Sequence, residues 1–241
     1  MKWKERILKW IWPTMTCVLC GEACDKLYPG LCGSCLEKIV KNREKEVFCS
    51  RCGVFYPNTF RECPHCFLKE RIYRKNGIFS ALPYDDLTRV PVMKLKYNNR
   101  RDLVETMTRL FFRFSEIEGD FDVVTAVPLH KNRLRQRGYN QSELFARAIA
   151  EKMELPYEEL LCRTVDTPSQ TKQSSAGRRH NLIGAFSALP EAEISGRRIL
   201  LIDDVVTTGA TVGECISVLR KAGADFVAVG TLCAFRSRQG Q

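Results

Sequence analysis

The stretch RILLIDDVVTTGATVGEC, Arg198 to Cys215, decides how this chain is read. Four apolar residues, Ile199 to Ile202, run straight into two adjacent acids, Asp203 and Asp204; two valines, Thr-Thr-Gly-Ala-Thr and a helical pattern follow. A continuous Ile/Leu run reads as a strand buried on both faces, as in a parallel sheet. The acids then emerge at its carboxyl end, the edge of an open α/β sheet where ligands bind. Thr207, Thr208 and Thr211 supply hydroxyls, Gly209 allows close backbone approach, and Ala210 leads into a helix whose free N-terminal amides attract an anion. Two carboxylates beside a phosphate cradle would repel a bare phosphate. They suit a ligand that also carries a vicinal diol, whose hydroxyls can donate to them, or a bridging Mg2+. A ribose 5-phosphate offers both diol and phosphate. The plainer alternative is a solvated Asp-Asp turn followed by a Thr-rich cap.

The flanking sequence agrees with a parallel sheet. NGIFSALPYDD (76–86) alternates like a strand and ends in a turn, and FDVVTAVPL (121–129) is a short apolar strand. Between them, residues 87–117 have a helical pattern that Pro91 and then Asn98-Asn99 interrupt. NQSELFARAIAEKM (140–153) places Leu144, Ala148 and Ile149 on one helical face, IGAFSAL (183–189) is a further strand, and DFVAVGTLC (225–233) is the last. TVGECISVLRKAGA (211–224) is a helix ended by Gly223. Strand–helix alternation with continuous apolar strands gives the α/β class, with a mainly parallel sheet covered on both faces. Residues 164–181 are polar and aperiodic, which suits a lid or a disordered segment.

Charge and cysteine concentrate at the other end of the chain. Of 241 residues, the first 76 hold fifteen Lys and Arg against eight Asp and Glu, and nine of the 12 cysteines lie between Cys17 and Cys66. Four CxxC pairs stand at 17–20, 32–35, 49–52 and 63–66, with inner gaps of 11 and 10 residues. Each pair is a knuckle that can give two thiolates to one tetrahedral ion, and two knuckles complete a zinc site. Two zinc ribbons in series would use Cys17, Cys20, Cys32 and Cys35, then Cys49, Cys52, Cys63 and Cys66; an interleaved wiring is the rival. Cys24 is spare, and His65 would only substitute. The start, MKWKERILKWIWPTM, suits a surface helix and lacks the features of a signal peptide, so disulfides are disfavoured and a cytoplasmic location is expected. Two units are expected: residues 1–76, with helix and double ribbon, and residues 77–241. The basic head and its aromatics Phe48, Phe55, Tyr56 and Phe60 would suit nucleic acid, the alternative being a structural ribbon with an ordinary surface.

The 13 residues from Ile199 to Thr211 resemble the phosphoribosyl-pyrophosphate motif of type I phosphoribosyltransferases. With the double ribbon and RLRQRGYNQSELFA, nearly the whole chain resembles the ComF competence family. The resemblance implies that Asp203 and Asp204 hold the ribose hydroxyls, and that Thr207, Thr208, Gly209, Ala210 and Thr211 cradle the 5-phosphate. It makes VPLHKNRLRQRGYNQ the pyrophosphate loop, with Lys131, Arg133, Arg135, Arg137, Gly138, Asn140 and Gln141, guanidinium being suited to bidentate phosphate contact. Residues 164–181 become a flexible loop with Gln170, Arg178 and Asn181 at matching positions; Gln173 and Gly177 depart from the pattern. No residue cluster names a nucleobase. The implied ligands are two Zn2+ and phosphoribosyl pyrophosphate with Mg2+, and the implied partners are single-stranded DNA and a helicase or other protein of DNA uptake. Two roles are compatible with this: an accessory of DNA uptake, or an active phosphoribosyltransferase acting on a nucleobase or nucleic acid.

Overall fold

The computed structural model describes residues 16–24, 26–64, 77–166 and 184–237. The expected N-terminal helix, His65 and Cys66, the boundary at residue 76, and Gln170, Arg178 and Asn181 lie outside the described residues.

The apolar run opens strand β7 (Arg198–Val206), an inner strand of a four-stranded parallel sheet. It lies between β8 (Phe226–Phe235) and β4 (Val123–Ala126), and β3 (Ile78–Tyr84) completes the order β3-β8-β7-β4. Alternation along β7 sends Leu200 and Ile202 into one core and Ile199 and Leu201 into another, and all four are fully buried. Helices α3 (Leu103–Phe114) and α5 (Gln141–Lys152) supply Leu103, Phe111, Phe145 and Ile149 to the first core. Helix α6 (Ala210–Lys221) supplies Val212, Ile216 and Leu219 to the second. Close seating of α3 depends on Gly230, where a Cβ would come within 2.7 Å of Ile202 and 3.1 Å of Phe111. Among the described residues 184–189 of the expected strand, Phe186–Ala188 is extended, and it stands outside the main sheet. As β6 it pairs antiparallel with β5 (Leu161–Arg163), a three-residue strand too short to give a period in the sequence.

Helix α2 (Asp86–Tyr97) corrects the reading of Pro91 as a break. The Asp85 carboxylate accepts from the amides of Leu87 and Thr88 in a capping box, which fixes the first turn. Proline lacks only one donor, and Val92 and Leu95 beyond it are buried in the core, so packing carries the helix through. It stops where expected, at Asn98, and Asn99 takes a left-handed φ of 52°.

The cysteine-rich part comprises α1 (Gly33–Arg43) and the antiparallel pair β1 (Glu46–Cys49) and β2 (Val54–Pro57). It shares a core with the body: Cys17, Leu31, Cys32, Cys35 and Ile39 pack in the same cluster as Leu103 and Met107. Thr106 donates its hydroxyl to the Pro29 carbonyl at 2.7 Å, and the Arg43 guanidinium donates to the Ala81 carbonyl at 2.7 Å. The Arg43 guanidinium also lies over the rings of Phe55 and Phe114, 4.9 and 5.7 Å from their centroids. Glu46 is buried and pairs with Arg236 at 2.6 Å. This packing corrects one expectation about the aromatics. Phe55 and Tyr56 are buried and Phe48 partly so, leaving Phe60 as the exposed ring among the four named as stacking candidates.

Candidate functional site

Strand β4 stops short of the acids. Its last pair is Ala126 with Ile202, after which the Val127 amide donates to the Ile202 carbonyl at 2.9 Å. Beyond that point β7 runs on against β8 alone, from Asp203 opposite Thr231 to Val206 opposite Ala234. Asp203 and Asp204, the sixth and seventh of the nine residues of β7, therefore stand inside the strand, rather than past its end, at the place where a neighbouring strand is missing. Both are buried. Such carboxylates need partners. The Ser142 hydroxyl and the Asp204 amide each donate to Asp203 Oδ1 at 2.9 Å, and Lys96 Nζ lies 2.7 Å from Asp204 Oδ2. Burial, and then the neighbouring charge of Asp204, push the Asp203 carboxyl up to about 7 against the opposing pull of Lys96 and Ser142. Burial disfavours the Lys96 ammonium, but Asp204 and Asp203 outweigh it and raise its pKa.

The turn after the acids is open at the helix end. Gly209, φ +75°, is the N-cap of α6, and no side chain makes a cap hydrogen bond from that position; the Ala210 amide donates to Thr208 Oγ1 at 3.4 Å. Thr207 is exposed, and Thr208, Ala210 and Thr211 are half-buried. Amides at the start of a 12-residue helix therefore face the same sheet edge as the acids, which is the electrostatic requirement for an anion.

The expected pyrophosphate loop contains a helix, α4 (Lys131–Arg137), in which no residue is buried. Without an apolar stripe, its sequence gave no period to recognise. His130 Nδ1 accepts from the Asn132 amide at its start, and Gly138, φ +77°, ends it. Lys131 and Arg135 are exposed. Arg137 donates to Gln141 Oε1 at 2.8 Å and to the Tyr97 hydroxyl at 3.2 Å. Asn140 and Gln141 are buried; Asn140 donates to the Val127 carbonyl at 3.0 Å and accepts from the Ser142 amide at 3.1 Å, so it fastens α5 to the end of β4. Asp166, at the start of the long polar segment, accepts from Asn132 at 2.8 Å and lies 3.8 Å from Arg133. Lys96 and Ser142 were missed in the sequence. For Lys96 a signal existed: Thr88, Val92 and Lys96 fall four residues apart on the buried face of α2, where a lysine requires an anion.

The cysteines meet in series. The sulfurs of Cys17, Cys20, Cys32 and Cys35 lie within 4.8 Å of one another, and so do those of Cys49, Cys52 and Cys63. These thiols are not joined as disulfides; the close pairs Cys20–Cys32 and Cys52–Cys63 are 3.5 Å apart, too long for an S–S bond of about 2.05 Å. Four converging thiols fit a tetrahedral ion. Cys32 caps the N-terminus of α1, and hydrogen bonding from Ser34 helps lower it to about 6, whereas burial and the neighbouring thiols push Cys35 up to about 12. Four thiolates at this spacing need a cation to ionise together. The second knuckle of the first cluster opens a helix rather than a hairpin, so only the second cluster, on the β1–β2 pair, is built as a strand ribbon. Chelation of bound zinc is expected to lower the melting temperature by more than about 10 °C, as a structural ion contributes roughly 10 kcal/mol or more. Metal analysis of the purified chain should return two ions; zero, or chelation without thermal effect, would contradict the clusters' role.

The acid pair makes a second prediction. An acid whose folded pKa lies above its unfolded value binds more protons when folded, so stability falls as pH rises from about 4 to about 7 and is then level. Asp203→Asn should therefore stabilise the ligand-free protein at pH 8, with the gain closing as the pH approaches 4. A gain independent of pH in thermal melts would contradict the assignment.

A family model, the phosphoribosyl transferase domain, matches residues 140–241. Competence protein F of Haemophilus influenzae is 28% identical over 222 residues, covering 88% of this chain and 94% of that protein. DNA utilization protein YhgH of Escherichia coli K12 is 28% identical over 225 residues, with 90% and 96% covered. Competence protein ComFC of Streptococcus pneumoniae is 25% identical over 234 residues, with 88% and 97% covered. Among solved structures, a glutamine phosphoribosylpyrophosphate amidotransferase from B. subtilis aligns with TM-score 0.38 and 23% identity, over 58% of this chain and 30% of that one. No described helix is long and apolar enough to cross a membrane. The chain is thus similar over nearly its whole length to proteins named for competence and DNA utilization, and its residues 140–241 match the phosphoribosyl transferase domain.

Proposed function

We propose that this chain binds phosphoribosyl pyrophosphate at the open edge of β7 and acts, with single-stranded DNA as partner, as an accessory of DNA uptake in the cytoplasm. The observation that carries the proposal is the buried pair Asp203–Asp204, left without a neighbouring strand on one side by the early end of β4 and followed along the chain by the start of α6 at Ala210. Asp203 and Asp204 accept from the ribose hydroxyls, and Thr207 to Thr211 receive the 5-phosphate. The guanidiniums of Arg133 and Arg137 and the ammonium of Lys131 neutralise the pyrophosphate, while Asn140, Gln141 and Gly138 hold that segment in shape. Gln170, Arg178 and Asn181 belong to the loop that closes over the ligand.

Mg2+ enters with the ligand. Lys96 already gives Asp204 its cation at 2.7 Å, so a divalent ion on Asp204 does not fit this arrangement. Pyrophosphate oxygens are the hard donors that Mg2+ prefers. Zinc holds the thiolate clusters of the first unit, residues 1–76, whose described residues share a core with those of the phosphoribosyl-binding unit, residues 77–241. The DNA role is supported by what the relatives are called, competence and DNA utilization proteins.

A second role, transfer of the phosphoribosyl group to a nucleobase or nucleic acid with release of pyrophosphate, is favoured by the family match over residues 140–241. Titration calorimetry with phosphoribosyl pyrophosphate tests the site that both roles share. Asp203→Ala should weaken binding about 10- to 100-fold, the worth of a hydrogen bond to a charged group. Unchanged affinity in a variant with native circular dichroism would contradict the site. Pyrophosphate release across nucleobases and single-stranded DNA then separates transfer from binding alone.

A further inference from the structure

A pocket of about 320 Å3 lies between the end of α2 and α4, lined by Lys96, Tyr97, Asn98, Asn99, Arg133, Gln136, Arg137 and Tyr139. Three features give it a chemistry. First, no carboxylate lines it. Lys96 is committed to Asp204, but the polar partners of Arg137 are neutral: the Gln141 amide oxygen and the Tyr97 hydroxyl. Arg133 has Asp166 3.8 Å away, so Arg137 is the guanidinium that presents positive charge to whatever enters.

Second, Tyr97 is 60% exposed, more than any other large hydrophobic side chain among the described residues. It is also held in place. Its hydroxyl accepts from Arg137, whose guanidinium lies over the ring at 4.8 Å from the centroid. A ring braced on one face offers the other for stacking at little cost in side-chain freedom. The pocket wall is braced in the same way: Arg101 lies over the Tyr139 ring at 4.4 Å and donates to Asn99 Oδ1 at 2.9 Å, and the Tyr139 hydroxyl donates to the Leu95 carbonyl.

Third, Asn98, Asn99 and Gln136 supply neutral amides of the kind that read a base edge. An exposed aromatic, guanidiniums and amides around a cavity of this size match one unstacked nucleotide. A paired base in a duplex has no free face for Tyr97.

We propose that this pocket is a nucleotide subsite for single-stranded DNA, in which Tyr97 stacks one base and Arg137, with Arg133, meets the adjoining phosphates, so that the strand and the pyrophosphate compete for these two guanidiniums. The proposal rests on the DNA partner named above and gives it a location. Of the named aromatics of the cysteine-rich part, Phe55 and Tyr56 do not compete for the role, since they are core residues, and Phe60 is the exposed one. Lys96 joins the two sites: it lines the pocket and pairs with Asp204, so a strand seated on Tyr97 lies beside the phosphoribosyl site.

The test is fluorescence anisotropy of a labelled 20-nucleotide oligothymidylate with the full chain, unlabelled duplex as competitor, and phosphoribosyl-pyrophosphate calorimetry on the same preparations. Tyr97→Ala should weaken single-strand binding about 5- to 100-fold, the range for losing one stacked base. Tyr97→Phe should restore it, and duplex should compete poorly. Wild-type affinity in Tyr97→Ala, or equal competition by duplex, would overturn the subsite while leaving the DNA partner standing. No binding by the wild-type chain would overturn both. Loss of phosphoribosyl-pyrophosphate binding in Asp203→Ala with oligonucleotide binding intact would support the subsite as a separate element.

Discussion

The ion pair between Lys96 and Asp204 is the interaction on which the rest of the site depends. A strand that carries two adjacent carboxylates into a protein interior is unstable unless each charge finds a partner. Here the partners come from two helices far apart in the chain, Lys96 from α2 and Ser142 from α5. Their arrival fixes the geometry of the edge. The last turn of α2 must reach β7, the first residue of β4's loop must bond back to Ile202, and α5 must start beside Asp203, where Asn140 fastens it. The acids are thus more than ligands in waiting. They organise the elements around them, and a bound diol would replace part of what Ser142 and Lys96 now supply.

The cysteine-rich part contributes to the same order. It is small, yet it is joined to the body by a shared core and by polar contacts that cross the joint, among them Arg43 with the Ala81 carbonyl and Glu46 with Arg236. Cys35 and Ile39 lie on the face of α1 that is buried in the shared core, in the same cluster as α3 residues. Zinc at the first cluster would therefore stabilise the platform on which α3 packs, as well as its own loops. That arrangement accounts for the burial of Phe55 and Tyr56, which takes two of the four candidate stacking rings off the surface.

Much of this was legible in the sequence because the signals were local. Ile199 to Ile202 declare a buried strand, Thr-Thr-Gly-Ala-Thr declares the turn and helix start, and the CxxC spacing declares knuckles whose described cysteines gather as Cys17, Cys20, Cys32 and Cys35 and as Cys49, Cys52 and Cys63. What escaped was non-local. Lys96 stands 108 positions before Asp204 and reads as an ordinary helix lysine unless its place on the Thr88–Val92 face is noticed. Pro91 looked like a break because its cost is local, whereas the burial of Val92 and Leu95 that overrides it is tertiary. Helix α4 has no apolar stripe, and β5 and β6 are three residues each, so neither carries a period. Phe55 and Tyr56 alternate with nothing that tells which surface covers them.

The most direct measurement is a crystal structure of the chain with phosphoribosyl pyrophosphate and Mg2+. The account predicts ribose hydroxyls within about 3 Å of the Asp203 and Asp204 carboxylates, the usual hydrogen-bond range, with the 5-phosphate on the amides around Gly209. Density for the ligand elsewhere, with Lys96 and Ser142 still the side chains that pair with the two acids, would contradict it.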